Sequence, residues 1–424
     1  DGVTLDLGAN SFDEAHGNEG DDVFSHTDGQ GQAGAEHVTV FGKGGNDTLS
    51  GGAANDYLDA GSGDDVVNAG AGDDYALGGD GVDTLSGEGG NDLLEGNAGD
   101  DVLQGGDGND NLIGGAGADE LSGGAGSDTL HFDAADTKEE DGSGNDDARA
   151  QGDTGVTLDL GANAIELAYG TEAADTFTNS TADSCSSFGD GGDFFITGVS
   201  GHEYLDGFAG DDAIAAGTGN DILIGGAGDD FLQGGAGNDN LAGDAGADTL
   251  AGGTGNDTLH FDAADSVDGG EGYDVGIVQT ATNTTLDVDA ANLEQVQGNA
   301  GNDTFTSTEN RAVKLLGEAG NDILQTASGN DTLEGGDGND QLTTSDGNNQ
   351  LDGGSGNDTL TTGLGRDHLE GGSGDDVLDA GSGNDTLMGG AGADQLLAGS
   401  GNDKLYFDAA DVIDGGTGND TAYF

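Results

Sequence analysis

Proline and tryptophan are missing from this chain, and cysteine and methionine occur once each. Lys and Arg together number 7 in 424 residues, against 85 Asp and Glu, which leaves a formal net charge of -78. Each shortage excludes something. A single cysteine, Cys185, permits no intramolecular disulfide framework. Set among Ser and Asp in a connector, it reads as an inert thiol, with intermolecular pairing as the alternative. Without proline and without a three-residue period, the glycine content is not that of collagen. So few basic side chains argue against nucleic acid and against direct attraction to an anionic membrane surface, because phosphate contacts need clustered Lys and Arg. No uninterrupted apolar run approaches the roughly 18 residues of a membrane span, so direct membrane insertion is not expected. No signal peptide is visible at the start. H-E-x-x-H, G-x-S-x-G and a phosphate-cradling loop with its Lys are all missing, and the chain is expected not to be an enzyme.

What is present is glycine, 90 residues of it, in a strict order. Gly105-Gly106-Asp107-Gly108-Asn109-Asp110-Asn111-Leu112-Ile113 is followed at once by Gly114-Gly115-Ala116-Gly117-Ala118-Asp119-Glu120-Leu121-Ser122. The form is G-G-x-G-x-D-x-U-x, with U a large aliphatic residue. Asp returns at every ninth place in three runs. The first holds Asp47, Asp56, Asp65, Asp74, Asp83, Asp92, Asp101, Asp110, Asp119 and Asp128. The second, preceded by Glu203 in a worn unit, holds Asp212, Asp221, Asp230, Asp239, Asp248 and Asp257. The third holds Asp322, Asp331, Asp340, Asp358, Asp367, Asp376, Asp385, Asp394 and Asp403, with Asn349 in the remaining place. Two residues after each Asp in the first run stands an apolar residue, almost always Leu, with Val67 and Ala76 the weak points. Such a composition would ordinarily mean disorder. The period overrules it, since a disordered segment has no reason to keep Asp and Leu in register.

In this phrase the sequence resembles the RTX, or haemolysin-type calcium-binding, repeat proteins. The resemblance implies an all-β chain, a parallel β-roll or β-helix solenoid built from calcium-binding nonapeptide repeats. It implies that the Asp residues of the three runs are metal ligands, joined by carbonyls of the glycine loops. Turns on one side of such a coil are two units apart, so Asp101 is expected to share an ion with Asp119 and not with Asp110. Extended over the three runs, the geometry implies about 20 calcium ions. The family also implies a secreted chain, exported by a type I-like route and working outside the cell or on its surface.

The residues themselves carry a parallel argument. Small residues reach tight turns and positive φ, and they bring backbone carbonyls to a common point. The x-U-x triplet is a minimal strand with one side chain inward. Two units then make an 18-residue coil with a strand on each side, stacked into two parallel sheets. One Leu per unit is a thin core against the entropy of ordering nine residues, so the turns need another staple. What they offer is hard oxygen, which suits calcium with its six to eight flexible ligands. Magnesium prefers rigid octahedra, and zinc wants N or S donors that these turns lack. The copies around Asp22, Asp175, Asp274, Asp303 and Asp420 lack neighbours in register and are expected to bind more weakly. Asn349, which loses the charge, and Arg366, beside Asp367, mark weaker places too. His131, His260 and Tyr406 occupy one run-closing aromatic slot and need no catalytic or metal role. The remaining histidines are scattered singly.

A larger repeat overlies the small one. Val3 through Asn10 returns as Val156 through Asn163 and, more loosely, as Thr284 through Val288. Each run closes on the phrase seen in Leu130-His131-Phe132-Asp133-Ala134-Ala135-Asp136. Three tandem modules follow, at 1–153, 154–281 and 282–424, with repeat runs at about 42–131, 207–260 and 317–405. The chain opens with one module and stops where a fourth would begin, so a longer array is expected. The connectors near 1–41, 131–202 and 262–315 read as wider, calcium-free coils or caps, with strands near Val156–Leu160 and Phe194–Thr197. Two functions fit. One is a calcium-binding secreted structural protein of a surface layer (S-layer), filament or adhesin stalk. Its partners would be calcium ions, copies of itself and cell-surface glycans. The other is the C-terminal RTX export and folding region of a secreted enzyme or toxin whose catalytic domain lies outside this chain. Both imply a chain that folds on meeting calcium.

Overall fold

The computed structural model describes residues 2–27, 33–139, 144–181, 184–192, 194–198 and 200–424. Two compact units, Asp1–Ala209 and Gly210–Phe424, divide the chain inside the second sequence module. Each is a parallel β-solenoid. In the first, strand Val102–Asp107 pairs in parallel with Thr84–Gly89 before it and Glu120–Ala125 after it, which sets Leu103 opposite Leu85 and Leu121. The strands between, Leu93–Ala98 and Asn111–Ala116, belong to the other sheet, with Leu94 opposite Leu112. Within the runs each strand thus pairs with the next strand of its own sheet, 18 residues away. The second unit repeats this, as in Ile222–Ala227 on Asn240–Ala245 and Thr332–Asp337 on Gln350–Ser355.

The aliphatic column explains the pairing. Leu85, Leu94, Leu103, Leu112 and Leu121 are fully buried, as is Ala76. Slipping a strand by one residue would turn that whole column to solvent. Among the described residues no helix is long and apolar enough to cross a membrane. The one-turn helix Leu7–Asn10 is capped by Asp6, whose side chain accepts the Ala9 amide.

The strands depart from the minimal triplet. In glycine-rich units they run six residues, and pairing resumes beyond the corner, with Gly106 opposite Gly124 and Asp107 opposite Ala125. The corner residue, Gly105, is buried, and Gly106 leaves it at φ +114°, a region that costs a residue with Cβ dearly. Gly108 follows at φ +141°, and a Cβ there would run into the Gly90 carbonyl. Three-residue strands occur along one side of the third run, at Ile323–Gln325, Gln341–Thr343, Thr359–Thr361, Val377–Asp379 and Gln395–Leu397. There the corner position holds Thr326, Thr344, Thr362, Ala380 and Ala398 in place of glycine.

The connectors continue the coil at other lengths. Leu5 lies opposite Phe24 and Phe24 opposite Leu49, while Leu121 meets Lys138 only 17 residues on. The expected strands are present at Thr157–Asp159 and Phe194–Thr197; the Phe195 side chain lies outside the described residues. Phe132 and Phe261 are buried at the corner position and close their runs. His131 and His260 face outward, half-buried, and the His131 Nδ1 lies 2.9 Å from Gln151 Nε2. Tyr406 faces outward and stacks on Tyr423. Cys185 is buried, its Sγ 3.6 Å from Asn179 Nδ2, which keeps the thiol away from any intermolecular partner.

Neighbouring residues test the inward column. Leu223 is fully buried and Ile222 is 40% exposed. In saturating calcium, Leu223→Ala is expected to cost about 2–5 kcal/mol in urea unfolding, and Ile222→Ala about 0.5 kcal/mol or less.

Candidate metal centre

The nine-residue period places successive Asp residues on alternate sides of the coil, so each run carries two columns. In the first run one column is Asp47, Asp65, Asp83, Asp101 and Asp119, and the other is Asp56, Asp74, Asp92, Asp110 and Asp128. Asp101 and Asp119 are therefore consecutive members of one column, and Asp110 stands in the other. All of the Asp residues of the three runs are buried, none more than 3% exposed. Within a column the backbone amide of each donates to the Oδ1 of the next: Asp83 to Asp101 and Asp101 to Asp119, both at 2.8 Å. Asp92 donates to Asp110 and Asp110 to Asp128 at the same distance. The second run has Asp212 on Asp230 and Asp221 on Asp239. In the third run, Asp322, Asp340, Asp358, Asp376 and Asp394 form one column. Asp331, Asn349, Asp367, Asp385 and Asp403 form the other.

The second carboxylate oxygen sets the columns apart from an ordinary hydrogen-bonded ladder. From Asp47 to Asp128, every Oδ2 of the first run is buried with no hydrogen-bond donor in the protein. The same is true of Asp230, Asp239, Asp248 and Asp257, of Asp322, Asp340, Asp358, Asp376 and Asp394, and of Asp367, Asp385 and Asp403 in the other column of the third run. A buried carboxylate oxygen left bare is expensive, and a protein rarely tolerates more than a few orphaned polar atoms. Most of the bare oxygens face a glycine corner, and a few, such as those of Asp65 and Asp74, face an alanine. A Cβ on Gly96 would stand 2.5 Å from the Asp101 Oδ2 and 2.6 Å from the carbonyl oxygen of Gly114, one coil on. On Gly371 it would stand 2.6 Å from both the Asp376 Oδ2 and the Gly389 carbonyl oxygen. The glycine permits this close approach: a side chain at Gly96 or Gly371 would make the carboxylate or the carbonyl give way. Among the described residues no three His, Cys, Asp or Glu side chains gather as a metal cluster. The donor sets therefore combine carboxylate with backbone carbonyl. That chemistry fits calcium and does not fit zinc.

Burial works against the charge of these carboxylates. It raises Asp83 from the ordinary 3.8 to about 7, opposed by the Asp65 amide and reinforced by the carboxylates of Asp101 and Asp65. Burial likewise brings Asp322 to about 7, with Asp340 and Asp303 adding repulsion. Asp110, Asp119, Asp239 and Asp376 rise to about 6 for the same first cause.

Four of the copies expected to stand alone are in register, because the connector coils have the lengths to bring them there. Asp22 donates to Asp47 Oδ1 at 2.6 Å and Asp303 to Asp322 Oδ1 at 2.7 Å. Asp274 and Asp420 accept from Asp257 and Asp403. The fifth, Asp175, accepts the Val156 amide through Oδ1. In Asp22, Asp175 and Asp303 the Oδ2 is met by an amide of its own loop, from Asn18, Thr171 and Asn299 respectively. Asp274 keeps a bare Oδ2 like the run members.

The nine-residue count misses other members. Asp136, Asp265 and Asp411 end their columns, each with Oδ2 satisfied by the amide three residues earlier. Asp146 follows Asp128 in its column at the regular 18-residue step, and Glu166 and Glu294 extend two columns with longer side chains. A second seam also runs outside the Asp columns. The Asn109 amide donates to Asn91 Oδ1, and the Ser127 amide to Asn109 Oδ1. Its signal was the Asn or Asp that so often precedes the run Asp.

A family model for the RTX calcium-binding nonapeptide repeat (4 copies) matches residues 41–76, 77–112, 104–136, 188–223, 197–232, 206–241, 224–259, 243–275, 316–351, 352–387, 379–409 and 405–423. Together these cover well over half of the chain. The chain belongs to this family. A search of the curated proteins gave no match. The RTX matches include all three Asp runs, and the stretches between them are the connector coils. As an RTX chain it is a calcium-binding repeat protein.

The raised carboxyls set a pH dependence. A group that holds its proton more tightly folded than unfolded favours the fold at low pH and opposes it once ionised. In chelator the RTX coil is expected to gain far-UV β signal as pH falls from about 7 to about 4, and to lose it on the return. With calcium present, protons compete for the same oxygens, so the half-saturating calcium concentration should rise as pH drops through that window. A calcium titration followed by circular dichroism at several pH values checks both.

Proposed function

We propose that this RTX chain is a secreted structural protein, a component of a surface layer, filament or adhesin stalk, that folds and stiffens when it meets extracellular calcium. The observation that carries the reading is the paired columns of buried Asp Oδ2 atoms with no donor in the protein. Without a cation at neutral pH those carboxylates repel along each column, and a net charge of -78 adds long-range self-repulsion. An extended chain is the favoured form under those conditions, and an extended chain suits passage through a narrow export channel.

Calcium, when bound, supplies the positive charge that lets these oxygens stay buried and ionised. The chain's own groups do the rest. Each Oδ1 fixes the carboxylate by taking the amide of the coil before it. Each glycine corner brings the next coil's carbonyl up to Oδ2. The Leu columns then have a reason to close, because the turns on either side are held. In this scheme the ligands are the run Asp residues with bare Oδ2 atoms and the corner-glycine carbonyls. Binding to the folded coil alone stabilises it by about 2.7 kcal/mol per site when calcium exceeds the dissociation constant a hundredfold. Many such sites make folding steep in calcium concentration.

The structural role, without catalysis, draws on how the residues are used: runs supply the columns, and connectors supply wider coils of the same solenoid. Copies of the chain and cell-surface glycans are the partners that such a role calls for, with calcium neutralising surfaces that would otherwise repel. The test is circular dichroism of the full chain at neutral pH. An unordered spectrum in chelator, a β-rich one in millimolar calcium and little change in equal magnesium are expected. Identical spectra in chelator and calcium would overturn the reading.

A further inference from the structure

The two sides of the third run are built differently. On one side the corners are Gly317, Gly335, Gly353, Gly371 and Gly389, and the facing Oδ2 atoms are bare. On the other side the first three corners are Thr326, Thr344 and Thr362, all buried. The Thr326 hydroxyl donates to Asp331 Oδ2 at 2.7 Å, so the atom left bare elsewhere is met by its own loop. The Thr362 hydroxyl donates to the Ala380 carbonyl at 3.0 Å. Ala380 lies 18 residues on, so its carbonyl is the counterpart of the one that completes each glycine corner. One threonine thus takes the carboxylate half of the cradle and another takes the carbonyl half. Further along this side Asp367, Asp385 and Asp403 keep bare Oδ2 atoms, and the Thr344 hydroxyl between the two threonines has no partner.

Between them the Asp itself is lost. Asn349 uses Oδ1 to accept the Asp331 amide at 3.0 Å, which leaves Nδ2 in the buried place of the bare oxygen. An amide N–H repels a cation. The backbone differs as well: Gly336, Gly354 and Gly372 follow their corners at φ +106°, +99° and +104°, whereas Ala327, Ser345 and Gly363 are not in that region. Positive charge also gathers on the outside of this column, where Arg366 and Lys404 line one hollow with Asp385.

We propose that the third run takes calcium on its glycine side, and that the Asp331–Asn349 stretch of the other side is metal-free, with the Thr326 hydroxyl standing where an ion would. This rests on the reading that the glycine corners hold calcium. It lowers the ion number below the about 20 implied by repeat geometry alone. It also leaves one stretch of coil whose turns are stitched without metal, from which the rest of the run can close when calcium arrives.

The test counts bound calcium per full-length chain by metal analysis after exchange into calcium-limited buffer. Asp340→Asn, on the glycine side, is expected to lose at least one ion per chain, and Asp331→Asn none. The pair Thr344→Gly with Asn349→Asp is expected to raise the count, a gain that a misfolded chain would not show. Amide exchange in the calcium-limited buffer supplies an independent reading: slower exchange around 323–333 than around 350–358 is expected. Loss of calcium in Asp331→Asn equal to that in Asp340→Asn would overturn the inference and leave the calcium reading standing. So would failure of the Thr344/Asn349 pair to add an ion. An unchanged count in Asp340→Asn would overturn the calcium reading itself.

Discussion

A carboxylate with one oxygen served and the other bare is the constraint on which this protein is built. The Asp Oδ1 is tied to the amide of the preceding coil, so the side chain has no freedom to swing its Oδ2 out to water. Burial then makes the negative charge costly, and each column stacks one such cost on the next. A single buried acid of this kind would be a local flaw. Repeated along the columns of all three runs, it becomes a charge that burial alone disfavours at neutral pH and that bound cations would offset. The thin apolar interior is adequate only because the turns are held from both sides.

Glycine serves that constraint in two different ways. The glycine after the corner is needed for its φ, as at Gly106. The corner glycine brings carboxylate and carbonyl close by its lack of a side chain, as at Gly96, where a Cβ would stand within 2.6 Å of both. The distinction separates the Ala corners from the Thr corners. Ala60 and Ala69 fill the corner with one methyl, and Asp65 and Asp74 keep their bare oxygens. Thr326 brings a hydroxyl, and Asp331 does not.

The nine-residue phrase made the coil, its 18-residue step, its inward Leu column and its paired Asp columns legible without coordinates, because each follows from period and side-chain chemistry. Other features depended on distances that a period does not carry. Strand length escapes the period because glycine reads as a strand breaker, yet Gly106 and Gly124 pair. Asp274 looks isolated by the nine-residue count because the closing phrase is one residue short of a full coil, yet Asp257 and Asp274 are in register. The own-loop amides that meet Asp22 and Asp175 leave no trace in spacing. The threonine corners were in plain view as departures from Gly-Gly, but only the Asp331 and Ala380 contacts give them meaning.

The outer seam of Asn and Asp residues runs against the inner one. Inside, the amide of one coil donates forward to the next carboxylate, as Asp101 does to Asp119; outside, the later coil donates back, as Asn109 does to Asn91. Each turn is therefore a two-pin connector with opposed polarity. A coil offered upside down would set donor on donor at one pin and acceptor on acceptor at the other, so the stack recognises which way up its next layer must come.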